Sequence, residues 1–485
     1  MKGDFTRLGF DSGKHYSRVL HQQGRVTLDA DANEASAILL HHLRRLTRDL
    51  YGPAGGPADS GFWISVDTSA SPAVVWISPG HYYVQGILCE NEAWTDYAAQ
   101  PDYLPVPPDA NGGGGDALLA WLRQPSNKQP FWLYLDVWER HVSWIEDDSI
   151  REPALGGPDT CTRAKVVWQV KALPWNADWG SADGNTVCAA PLPALQLPGS
   201  AQMAAQVDPG PAFTDPCIIA PGASYRGAEN HLYRVEVHIG GSAETATFKW
   251  SRDNGSNATR WLGVGDDAAS DNVTLIAKSS RGFAAGDWVE LSHDALELAD
   301  LPGQLVRVSV VEGDQLTLDP ASRPSGGIMT WDAALSNPKL RRWDQRSNDV
   351  VGLHDGAVPI TESGLTQMEW IDLEDGVQVA FAAGGHYRSG DYWLVPARVA
   401  TQGIEWPQEA GQPVLQTPQG IAHAYAPLGV VSSNSDGLFL HPCRSCAGLQ
   451  AGECSVPERP PRIPAASAAK LDAVGGKVAR KRRPV

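Results

Sequence analysis

The residues of this chain best suited to chemistry are His441, Cys443, Cys446 and Cys454, which bring one imidazole and three thiols together around a single Cys-x-x-Cys pair. Zinc takes four such ligands at tetrahedral positions, so the group is a candidate structural metal site. Free thiols or a local disulfide would use the same residues, because only one Cys-x-x-Cys is present. A second arrangement sets Asp136 and Glu139 on either side of Trp138. Glycosidases use two carboxyls roughly 5 to 10 Å apart in an aromatic-lined cleft. Strand positions three apart point to opposite faces, however, which favours ion pairs with Arg140 or Arg163 over shared acid–base work. There is no G-x-S-x-G, no H-E-x-x-H and no dinucleotide fingerprint after a strand, and the NGGGGD stretch at 111–116 lacks the Lys of a phosphate loop. No catalytic residue and no cofactor is assigned beyond the zinc option. Of the 18 Trp, those in alternating strands, such as Trp132, Trp168, Trp250, Trp288 and Trp393, read as core or interface before they read as a sugar-stacking platform.

The elements that would hold these residues are mostly strands. Over 131–137 the chain alternates, with Phe131, Leu133, Leu135 and Val137 on one side and Trp132, Tyr134, Asp136 and Trp138 on the other. Both faces of that strand are covered. The alternation slips near Glu139, which predicts a bulge or bend. A loop rich in Asp, Pro and Gly follows, and residues 165–171 resume as a strand. The Pro- and Ala-rich stretch 173–223 is too long for a simple connection and is expected to wrap the surface, pinned by Trp175 and Trp179. Short strands between 261 and 320 suggest a small barrel, with a hairpin turning at Glu312-Gly313-Asp314. Asp375-Gly376 predicts another two-residue hairpin loop.

One helix stands out from this β pattern. Over 32–51, Ala35, Ile38, Leu39, Leu43, Leu46 and Leu50 recur at helical spacing, Asp29 or Asp31 is placed to cap, and Gly52 to terminate. The stripe is expected either to pack on the first β domain or to serve as a subunit interface. For the second option the candidate contacts are Phe5, Phe10, Ile38, Leu39, Leu43, Leu46 and Leu50.

The expected fold is therefore mainly β, with several sandwich-like or barrel-like modules, one N-terminal amphipathic helix and a disordered C-terminal tail. The division runs 1–55 for arm and helix, 56–256 and 331–442 for two parts of one main β domain, 257–330 for an inserted barrel, and 443–485 for a Cys-containing, Pro/Ala-rich and finally basic tail. A charged fraction of 20% with Gly 49 and Pro 36 fits turn-rich β structure. A net charge of -17 disfavours nucleic acid and anionic membrane as partners. No run approaches the roughly 18 to 20 apolar residues of a membrane span and no apolar leader opens the sequence, so assembly in the cytoplasm is expected, with later release from the cell left open. Seven Cys at irregular spacing fit a reducing compartment, although Cys188 and Cys217 could pair in an oxidising one.

The words DVWER, ALGGPDT and KVVWQVK, in that order, resemble an uncharacterised family encoded with phage-tail-like contractile injection systems. So do KGDFTR, HQQGRVTLDADANE, LYRVEVH, TFKWSRDNG, GDYWLVPAR and YAPLGVV, and the resemblance extends to about Leu440. It implies a non-enzymatic structural subunit at the baseplate or around the spike, a symmetric homo-oligomer whose partners are other particle subunits. A receptor- or glycan-binding module at the particle tip and an envelope-polymer hydrolase are the alternatives.

Overall fold

The computed structural model describes residues 1–443 apart from 58–59, 105–115, 124–128, 180–187, 189–191, 196–198, 211–223, 266–272, 325, 347–351, 365–367 and 435–436. The expected tail, and with it Cys446 and Cys454, lies outside the described residues, as do Cys217 and most of the 111–116 stretch. The fold is mainly β, built as three bodies nested one inside another.

The outermost body is centred on an antiparallel sheet in the order Gly437–Pro442, Ala424–Asn434, Phe131–Val142, Arg163–Pro174, with smaller sheets from residues 54–96 packed against it. Phe131, Leu133, Leu135 and Val137 enter its core beside Phe62, Tyr82, Trp121 and Val170. On the opposite face Trp132 and Tyr134 pack with Trp175, and Trp179 meets Trp175 edge to face at 5.4 Å, so the two tryptophans hold the start of the 173–223 stretch, much of which lies outside the described residues. A disulfide between Cys188 and Cys443 fastens the same region, their Cα atoms 5.3 Å apart. This replaces the Cys188–Cys217 pairing considered from sequence. The expected bulge at Glu139 is absent. Pairing between Phe131–Val142 and Arg163–Pro174 runs unbroken, and the irregularity falls on the other neighbour, between Pro427 and Gly429. The residue types change at Glu139 because the strand leaves an apolar core for charged neighbours, while its backbone phase is kept.

The second body is inserted between Arg163–Pro174 and Ala424–Asn434. It is a sandwich whose five-stranded sheet, centred on His231–Ile239, shares a core with a sheet built on Val377–Ala382. Tyr233, Val235 and Val237 point into that core, beside Phe248, Trp250, Phe381 and Trp393. The expectation of one main domain is corrected here, since these strands and those around Phe131–Val142 enclose separate cores. Val377 follows the Asp375-Gly376 turn as expected, both turn residues having positive φ.

The third body is a closed barrel inserted in turn into the second. The hairpin Gln304–Glu312 with Gln315–Leu318 is present, turning at Gly313-Asp314. The barrel does not end at 330. Lys339–Trp343 pairs with both Ala258–Val264 and Trp288–Ser292 and closes it. Local pattern could not reveal this, because closure depends on two partners far away in sequence.

Candidate assembly face and the charged junction behind it

The long helix, α1 (Asp29–Tyr51), starts and stops as its sequence dictates: the Asp31 carboxylate accepts from the Leu28 N–H, and Gly52 ends the helix at positive φ. The Asp29 carboxylate instead holds the arm, accepting from the Thr6 amide at 2.9 Å and the Thr6 hydroxyl at 2.6 Å. One side of α1 docks on the outer body. Ala30 and Ile38 are buried, Arg44 pairs with Glu139 at 2.8 Å, and Tyr51 stacks on Tyr83. The helix comes so close that a Cβ on Gly86 would lie 2.2 Å from the Arg44 carbonyl oxygen. The absence of a side chain at Gly86 is what lets α1 sit down.

The other side of α1 is uncovered. Leu39, Leu43, Leu46 and Leu50 are 61, 51, 57 and 48% exposed. The plain expectation that the whole stripe packs on the first β domain is therefore corrected. Ile38 does so, and the leucines do not. Of the other candidate contacts, Phe10 is exposed and lies against His41, whereas Phe5 is half-buried beside Gly3 and His141. The arm adds Tyr16, Leu20 and Val26, all well exposed. Helix and arm thus expose at least seven large apolar side chains within the first fifty residues, a concentration of the kind that marks an interaction site.

Behind this face the three bodies meet around a cavity of about 330 Å³ whose lining includes Lys2, Arg140, Arg234, Glu236, Lys249 and Glu290. Its walls follow from period two. On His231–Ile239 the residues between the core-facing ones are Arg234, Glu236 and His238, all buried. Glu236 accepts from Arg234 at 2.5 Å and pairs with Lys2 at 2.9 Å and Lys249 at 3.4 Å. Lys249 reaches across to Glu290 of the barrel at 2.6 Å, and Glu290 also accepts from the Trp343 indole at 2.7 Å. Burial alone would raise the Glu290 pKa, but Lys249 and Lys2 outweigh it and hold it at about 2. His141 and His238 have no counter-charge sufficient to offset burial, which lowers both to about 3 and leaves them neutral.

Beside this cluster the carboxylates of Glu146, Asp294 and Glu297 converge within 4.8 Å of one another, a spacing compatible with a cation. The Lys339 ammonium is already among them, at 2.5 Å from Glu146, 2.8 Å from Glu297 and 3.4 Å from Asp294, and Arg140 pairs with both Asp294 and Glu297. Fully buried Lys339 is raised in pKa because these three carboxylates outweigh the cost of burial. The chain supplies its own cation there, and the three carboxylates carry no metal assignment.

The carboxylate pair Asp136 and Glu139 does not converge. Asp136 is buried between Lys171 at 2.7 Å and His423 at 2.7 Å, and Glu139 faces Arg44. The expected partners Arg140 and Arg163 are replaced, since Arg140 serves the Asp294 group and Arg163 donates to backbone carbonyls. His423 lies between Asp136 and Asp300, its Nε2 3.1 Å from the latter. Burial would lower its pKa, but these two acids raise it to about 9. The zinc set is also corrected: Cys443 is engaged in the disulfide, and His441 stands on the strand Gly437–Pro442. None of the eighteen Trp is exposed, all being buried or half-buried.

Sequence reasoning found the leucines but missed the junction. A strand alternating Tyr, Val and Val with Arg, Glu and His reads as half-solvated, and only Lys249 between Phe248 and Trp250 hinted that the polar side was also covered. The family model for a family of unknown function, DUF6519, matches residues 1–197 and 192–480. No curated protein and no solved structure matches the chain. No described helix is long and apolar enough to cross a membrane.

Proposed function

We propose that this chain, which belongs to the family DUF6519, is a non-enzymatic structural subunit of a larger particle, with α1 and the preceding arm as its assembly contacts. The observation that carries the reading is the uncovered leucine face of a helix whose opposite side is firmly docked. A helix that must hide leucines and does not hide them in its own body gains by hiding them against another. The fixed docking side then gives that contact a defined direction, as a repeating array requires. The charged junction serves the same role from behind: it joins three bodies into one rigid part, using ion pairs that leave its carboxylates engaged.

The particle type rests on the sequence words that resemble proteins of phage-tail-like contractile injection systems, and the proposed position is the baseplate or the periphery of the spike. Synthesis and assembly would take place in the cytoplasm, and the Cys188–Cys443 disulfide would close after release of the particle. A sugar-stacking tip module would need exposed aromatic platforms, and the tryptophans are turned inward, so the assembly reading is preferred. The test is electron cryo-microscopy of particles from the native cells with the wild-type chain, without it, and with Leu43→Glu/Leu46→Glu. The double variant keeps Lys2, Ile38 and the body intact, which deletion of the first fifty or so residues would not. The expected outcome is loss of the subunit's density in the variant. Normal incorporation of the variant would sink the proposal.

A further inference from the structure

The leucines on the exposed side of α1 are spaced four, three and four residues apart, at 39, 43, 46 and 50. Alternating steps of three and four are the seam of a helix that packs on another helix along its length. This particular run has a second property: it reads the same from either end. When two copies of it are laid antiparallel, every leucine meets a leucine, 39 against 50 and 43 against 46, in four consecutive layers around a two-fold axis.

We infer that α1 is a homotypic contact, pairing antiparallel with α1 of a second copy of this chain. The flanks of the seam agree with that direction. In this register His42 of one helix comes beside Asp49 of the second copy on one flank, a polar pair, and on the other flank Leu40, 44% exposed, comes beside Thr47. Parallel pairing would instead place His42 beside Thr47 and leave Asp49 without a cross-helix partner. The surroundings allow the approach. Ile38, Arg44 and Tyr51 hold α1 by its far side, so the seam faces away from the body. At 23 residues the helix is about 34 Å long, enough to present all four layers. The isologous contact is the type that closes on itself as a dimer. Such dimers would be the unit from which larger symmetry is built, with the arm and loops free for other subunits. The inference rests on the assembly reading of α1 and adds the identity and direction of its occupant.

The test uses the isolated full chain. Sedimentation equilibrium is expected to show a concentration-dependent dimer, with Leu43→Glu/Leu46→Glu weakening self-association at least about tenfold while circular dichroism and melting of the body stay unchanged. Direction is read by disulfide trapping in a background where Cys161, Cys217, Cys446 and Cys454 are replaced by Ser. Chains carrying Leu39→Cys and chains carrying Leu50→Cys are mixed, and bonding between unlike chains is expected. A parallel pair would hold those two positions about 16 Å apart and bond like with like, which overturns the antiparallel assignment. A wild-type chain that stays monomeric overturns the homotypic contact altogether. The particle experiment then stands apart: if Leu43→Glu/Leu46→Glu still loses incorporation, the assembly reading holds with another subunit as occupant, and if it does not, both fail.

Discussion

At the scale of single residues, the chain's most expensive groups are those it buries with charge. Lys339 is buried among Glu146, Asp294 and Glu297, and such a group is tolerated only while every partner is present. Lys339→Met leaves three carboxylates facing one another with Arg140 as the one directly paired cation among the described residues. Its expected cost is about 3 to 5 kcal/mol of unfolding free energy, read from a urea midpoint, and an unchanged midpoint would mean that the carboxylates find relief elsewhere. His423 offers a pH-dependent counterpart. Its folded pKa of about 9 lies above the ordinary 6.5, so the folded state binds the proton more tightly than the unfolded one. The resulting stabilisation, up to about 3 kcal/mol, is complete below about pH 6.5 and is lost as pH rises through about 9. Denaturation of wild type and His423→Gln on both sides of that window should therefore converge at alkaline pH. A gap of the same size on both sides would mean that His423 acts through packing alone, for instance against Trp138, 4.7 Å away.

At the scale of elements, α1 shows how one residue without a side chain sets a position. Gly86 has φ +82° and no room for a Cβ beneath the Arg44 carbonyl. Gly86→Ala adds left-handed backbone strain of about 1 to 3 kcal/mol and lifts the middle of the helix, so faster amide hydrogen exchange is expected around Ile38 to Arg44 with little change in the barrel. Equal protection would show that α1 is seated by its ends alone. The helix was legible in sequence because its signals are local: the 3.6-residue stripe, an Asp at the start and Gly52 at the end. The same holds for residues 131–137, although the slip expected at Glu139 is not there and the strand runs on to Val142, and for the hairpin at Gly313-Asp314. What could not be read was which neighbour covers a face. Leu39 and Ile38 are adjacent in one stripe, yet one is exposed and the other buried, because the body touches only part of the helix. The cover over Glu236 and Lys249 is not local either, since Glu290, which Lys249 meets, stands on a barrel strand 41 residues further on. Cys443 resembled a metal ligand because its real partner, Cys188, is 255 residues away.

At the scale of the molecule, nesting makes the junction decisive. The barrel enters and leaves the sandwich through adjacent chain segments, and it has its own closed sheet and core, so nothing in its connectivity obliges it to unfold with its host. What ties the two is the ion pair of Lys249 of the sandwich with Glu290 of the barrel, beside a small apolar cluster of Leu305, Trp343 and Ala357. A calorimetric scan of the wild-type chain near neutrality is therefore expected to show barrel and sandwich melting together. Lys249→Met, which keeps the volume over the Trp343 ring but breaks the bridge, should resolve a separate barrel transition. Acid should act in the same way. Glu290 is held at about 2 against an ordinary 4.5, so its contribution is present above about pH 4.5 and is lost as pH falls through 2. Neutral His141 and His238, at about 3 in the fold, erode stability over an overlapping range, from about pH 6.5 downward. Two transitions in the wild-type scan near neutrality would mean that the bodies are not coupled and that the subunit is jointed where the assembly reading requires it to be rigid. One transition in Lys249→Met under the same conditions would mean that apolar contacts and not these ion pairs couple them.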